Sequence, residues 1–94
     1  MRLIWSKAAM RDLEELAVTI AEDSEQAAES VEARIHQEAS LLSRFPRSGR
    51  PGRVAGTRER VVGRTPYILA YCIVSAKIRI LRVYHAARKW PANF

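Results

Sequence analysis

The sequence predicts an α+β fold: a helical hairpin packed on one face of a mostly antiparallel four-stranded sheet, in the order β-α-α-β-β-β. Three observations predict it. Apolar residues recur at helical spacing between Ala9 and Phe45. Val, Ile, Tyr and Leu concentrate in three runs after Arg58. Gly, Pro and Ser stand between these two halves, and short polar links stand between the runs.

Arg2–Trp5 is a short apolar run ending at Ser6, which suits a first strand followed by a helix cap. Ala9, Leu13, Leu16, Ala17 and Ile20 then fall on one stripe of a helix whose opposite face is acidic. Glu22-Asp23-Ser24 interrupts that stripe. Ser24 followed by Glu25 offers a hydroxyl acceptor and an acid at the positive end of a second helix. Ala28, Val31, Ile35, Leu42 and Phe45 form its apolar stripe, and Pro46 disfavours helical geometry in the residue before it.

Turn-formers fill Ser48-Gly49-Arg50-Pro51-Gly52. Strands are expected at Arg58–Val62, Tyr67–Val74 and Ile78–His85, with links at Gly63–Pro66 and Ser75-Ala76 short enough to make neighbours antiparallel. The first strand reaches the sheet only through the helical hairpin. Alternation within Ile78–His85 is imperfect, which suits a central strand covered in part on both faces.

Ninety-four residues make one domain, 1–94. The longest apolar stretch, about eight residues, is far short of the ~20 that span a bilayer. The first residues lack the apolar segment of a secretory signal, and the lone Cys72 cannot form an internal disulfide; both suit the cytoplasm. The net charge of +6 conceals a division. Residues 1–43 carry −5, whereas residues 44–94 carry twelve cations against the single acid Glu59, for +11. A segment so charged attracts polyanions or an acidic protein.

Cutting RNA through its own 2′-hydroxyl needs a base, an acid and cations for the phosphorane. Cations abound here: Arg44, Arg47, Arg50, Arg53, Arg58, Arg60 and Arg64, with Arg82 and Arg88 beyond them. Proton carriers are few: His85, Tyr84, Tyr71, Tyr67 and Glu59. His85 is open to two readings, a strand-end histidine in a structural hydrogen bond or an acid or contact residue. Glu59, between Arg58 and Arg60, reads as a solvated strand residue paired with a neighbour and ionised. His36 reads as a surface residue and Cys72 as a small buried hydrophobe. Two histidines 49 positions apart and one cysteine supply no metal-ligand spacing, and Gly49-Arg50-Pro51-Gly52 lacks the lysine and hydroxyl of a phosphate loop. No metal or cofactor is expected.

Several stretches together resemble the RelE/ParE superfamily of toxins from type II toxin–antitoxin pairs. These are Leu3-Ile4-Trp5-Ser6 with Ala9 and Asp12-Leu13, the turn from Phe45-Pro46 to Gly49-Arg50-Pro51-Gly52, Tyr67–Tyr71, and Ile80–Pro91 with Tyr84-His85 and Arg88-Lys89-Trp90. The resemblance covers nearly the whole chain and implies the same β-α-α-β-β-β fold. His85 matches the histidine that ends the last strand of YoeB-like mRNA nucleases, but their acid falls near Gly52-Arg53 and their strand arginine near Ile68. RelE-like nucleases use lysines where this chain has Arg58 and Arg60, and a C-terminal tyrosine where it has Trp90 and Phe94.

The ending looks like that of ParE-like members. The resemblance therefore implies a toxin that binds and poisons DNA gyrase, neutralised in a hetero-oligomer by a ParD-like antitoxin whose C-terminal segment wraps it. The alternative is a ribosome-dependent mRNA endonuclease using His85 with Arg82, Arg88 or Arg64. Target- or antitoxin-contacting candidates are Arg50, Arg53, Arg58, Arg60, Arg64, Tyr71, Arg82, His85, Arg88 and Trp90. The antitoxin is expected to cover Arg58, Arg60 and the Arg-rich sheet edge.

Overall fold

The structure, a computed structural model, describes residues 1–87. Strand β1 (Arg2–Trp5) leads into helix α1 (Lys7–Ala21) and helix α2 (Glu25–Arg44). Strands β2 (Arg50–Pro51), β3 (Arg58–Val61), β4 (Tyr67–Val74) and β5 (Lys77–His85) follow. They form one sheet in the order β1-β5-β4-β3-β2, with β1 parallel to β5 and the other pairs antiparallel.

Both helices start where their caps dictate. Ser6 Oγ accepts from Ala9 N at 3.0 Å, and Ser24 Oγ accepts from Ala27 N at 3.1 Å. Each satisfies one amide that the first helical turn leaves unpaired. Glu25 in the first turn of α2 and Arg44 in its last both complement the helix dipole. The core lies between the hairpin and one sheet face. It gathers Ala9 and Leu16 from α1 and Ile35, Ala39 and Leu42 from α2 against Val62, Leu69, Tyr71, Ile78, Ile80 and Val83.

One sequence expectation needs correction. The sheet has five strands rather than four, because Arg50–Pro51 pairs with Arg58 and Glu59 of β3. Two residues carry no periodicity, and this pair lies among turn-formers, so only the tertiary pairing reveals it. The irregular alternation of β5 also has a specific cause. Tyr71 pairs with Ile80 but Ala70 pairs with Arg82, so Leu81 is an extra residue that shifts the register. Ile78 and Ile80 face the helices before the bulge, and Val83 does so after it. β5 lies between β1 and β4, as expected of a central strand. The β4–β5 hairpin turns through Ser75 and Ala76, both at positive φ (50° and 59°), the left-handed backbone conformation whose turn matches the right-handed twist of the flanking strands.

Candidate functional site

The arginine-rich segment is built around two buried groups. Tyr71 is fully buried. Its hydroxyl donates to Pro46 O at 2.7 Å and accepts from Gly49 N at 2.9 Å, tying the turn after α2 to the middle of β4. Gly49 permits this approach, since a Cβ there would lie 2.6 Å from the Tyr71 hydroxyl oxygen. Tyr71, expected among the contact residues, thus serves the interior; a phenol on a core strand finds its partner in the backbone below it.

The second group is Glu59, which is 2% exposed rather than solvated. Arg50 Nη2 donates to Glu59 Oε1 at 3.2 Å, Arg53 N donates to Oε2 at 2.7 Å, and the Arg53 guanidinium lies 3.7 Å from Oε1. The pairing follows from the sequence; the burial does not, because β2 and the residues after it cover the carboxylate. Arg58 Nη1 donates to Gly49 O at 2.8 Å and to Arg47 O at 3.3 Å. Arg60 Nε donates to Glu38 Oε2 of α2 at 2.9 Å. Four of the expected contact arginines therefore brace the scaffold.

A parallel economy operates on β5. β1 ends at Trp5, opposite Ile80, so among the described residues β5 has no strand neighbour on that side from Leu81 onward. α1 supplies the missing partners. Ser6 Oγ donates to Leu81 O at 2.9 Å, and the Asp12 carboxylate accepts from Val83 N at 2.9 Å. Asp12 also accepts from Arg82 Nε at 2.7 Å and Nη2 at 2.9 Å, a bidentate pair. That hydrogen bond above all holds Arg82 protonated, its pKa raised although burial opposes the shift. The Arg82 guanidinium also lies 4.7 Å from the centre of the Tyr84 ring. Burial, partly offset by Arg82, pushes the Tyr84 phenol up.

His85 lies at the end of β5, its Nδ1 accepting from Ala87 N at 3.1 Å, which leaves Nε2 to carry the ring proton when neutral. Tyr67 meets its ring edge-on, with centroids 5.6 Å apart. Together they line a groove of about 510 Å³ with Val83 and the α1 residues Asp12, Glu14, Glu15, Leu16, Val18 and Thr19. Three carboxylates thus share the groove with the histidine. Arg64 is exposed at positive φ (62°) in the turn before β4, outside that groove. Arg88 and Trp90 lie outside the described residues.

Asp12, Glu14 and Glu15 escaped the site reading, although the acidic outer face of the first helix was visible; nothing local says that this face borders the histidine. His36 is exposed and stacks at a tilt on Trp5, with centroids 5.3 Å apart. Cys72 is half-buried, and burial raises its thiol pKa while Arg79 lowers it less. Among the described residues no group of three or more His, Cys, Asp or Glu side chains could hold a metal ion, and no helix is long and apolar enough to cross a membrane.

This architecture is that of a small toxin module from a toxin–antitoxin pair. A solved structure described as the chromosomal ParDE TA system from P. aeruginosa superposes with a TM-score of 0.81, covering 90% of this chain and 95% of that one at 24% identity. Residues 3–90 match the family model described as ParE toxin of type II toxin-antitoxin system, parDE. The chain belongs to that ParE toxin family. It is 43% identical over 90 residues to "Putative toxin Y4kP" of Sinorhizobium fredii, covering 96% of this chain and 93% of that one. It is 32% identical over 87 residues to "Toxin RelE2" of Caulobacter vibrioides, covering 93% and 97%.

Proposed function

We propose that this ParE-family toxin acts in the cytoplasm by binding and poisoning DNA gyrase, arresting growth until a ParD-like antitoxin wraps it in a hetero-oligomer. The observation that carries this reading is the charge around His85. A nuclease using that imidazole must bring a phosphodiester to it, and Asp12, Glu14 and Glu15 line the same groove. Those carboxylates repel the phosphate that a catalytic site needs to stabilise. Arg82, a candidate for the phosphate charge three residues before His85, is already engaged by Asp12 in two hydrogen bonds. Glu59 and Tyr71, two of the other proton carriers, are buried in structural contacts. Binding needs no such relay.

The test is a supercoiling assay with purified protein, gyrase, relaxed plasmid and ATP. Loss of supercoiling or trapped cleaved plasmid, reversed by a ParD-like antitoxin, is the expected result. Unimpaired supercoiling at stoichiometric toxin would overturn the target.

A further inference from the structure

We propose that the sheet face turned away from the helices, at Arg2, Lys77 and Arg79, is a docking surface for an acidic, extended polypeptide segment in which carboxylate and apolar side chains alternate. The proposal concerns the partner's chemistry and does not depend on what the toxin attacks.

Strand geometry places these three cations together. Leu3 and Trp5 of β1 and Ile78 and Ile80 of β5 pack toward the helices, so Arg2, Ile4, Lys77 and Arg79 project from the other face. Arg2 pairs in register with Lys77, and Ile4 with Arg79. Arg79 also pairs with Cys72 and Lys77 with Val74 of β4. Six adjoining positions on three strands thus carry three cations, three apolar or thiol side chains and no acid.

These cations are available where most of the expected contact arginines are not. Arg50, Arg53, Arg60 and Arg82 have carboxylate partners, and Arg58 has two carbonyls. Arg2, Lys77 and Arg79 are exposed and, among the described residues, make no side-chain hydrogen bond or ion pair. Like charges opposed across neighbouring strands, about 4.8 Å apart at the backbone, repel. A sheet selected for stability alone would place an acid at one of these positions. The arrangement fits an outside partner that supplies the negative charge.

The apolar half of the patch decides which polyanion. Ile4 and Cys72 are half-buried and Val74 is 54% exposed, so apolar surface lies between the cations. A uniformly charged phosphate backbone leaves that surface in water, whereas a peptide with alternating apolar and acidic residues covers it. The spacing agrees: alternate side chains of an extended strand recur about every 6.7 Å, which is also the separation of Lys77 and Arg79 along β5.

The test is fluorescence anisotropy with a labelled Glu-Val repeat peptide, the same peptide with Gln for Glu, and single-stranded DNA of equal charge. The expected result is binding of the Glu peptide that weakens with salt and falls at least about tenfold in Lys77→Glu/Arg79→Glu, with no change in Arg11→Glu on α1. Thermal melts of each variant verify the fold, and all three positions are solvent-exposed. The proposal is overturned if the Glu peptide fails to bind, if the Gln peptide binds as well, if the double substitution leaves affinity unchanged, or if DNA binds more tightly through the same residues.

Discussion

Removing one oxygen from the core tests how the arginine-rich segment is held. In Tyr71→Phe the ring volume stays, and only the hydroxyl that joins Pro46 O and Gly49 N is lost. Each intramolecular hydrogen bond contributes about 0.5–1.5 kcal/mol net, and a buried donor left without a partner costs about 1–3 kcal/mol. Gly49 is buried, so its amide has little access to replacement water. The expected loss is therefore about 2–3 kcal/mol, a fall in Tm of roughly 8–20 °C for a domain of this size. Urea unfolding followed by circular dichroism should show a lower midpoint at unchanged slope, since the same surface is exposed on unfolding. A loss below about 0.5 kcal/mol would refute the reasoning, because segment 46–49 would then be anchored by other contacts.

Other substitutions probe the remaining contacts. Asp12→Ala strips three hydrogen bonds from the outer side of β5 and should cost about 2 kcal/mol in urea unfolding, with faster amide exchange at Val83. Lys77→Glu replaces repulsion toward Arg2 and Arg79 by attraction and should stabilise the fold by roughly half a kcal/mol at low salt, a gain that shrinks as salt is added. Alkaline pH should destabilise the protein. The Cys72 thiol and Tyr84 phenol have raised pKa values in the fold, so the native state keeps protons that the unfolded chain releases. Their contribution is full below the unfolded values of about 8.5 and 10, and is lost as pH rises through the folded ones. Tyr84→Phe should flatten the upper part of that decline in a series of melts.

Much of the fold was legible because it rests on local signals. Ser6 and Ser24 are capping hydroxyls followed by stripes at helical spacing, and Pro46 closes the second helix, so the hairpin could be placed nearly to the residue. Strand β2 was not legible, since Arg50–Pro51 becomes a strand only by meeting Arg58 and Glu59. The bulge at Leu81 left a trace, the broken alternation of the last strand, without revealing which residue was extra.

The site was harder to read, because composition counts charges and the fold decides which are already neutralised. Twelve cations against one acid in the second half suggested a uniformly basic sheet. Yet Glu38 and Asp12, acids of the first half, take up Arg60 and Arg82, while Glu59 serves Arg50 and Arg53 together. The exposed cations Arg2, Lys77 and Arg79 drew no notice, being scattered in sequence; their common face emerges only from the pairing of β1 with β5.

The most direct test of a toxin that works by occupancy rather than by chemistry is primer extension on messenger RNA from translating ribosomes supplied with the purified protein. The account predicts no new 5′ ends at any toxin concentration. Defined cuts with the wild-type protein that disappear in His85→Ala would contradict it.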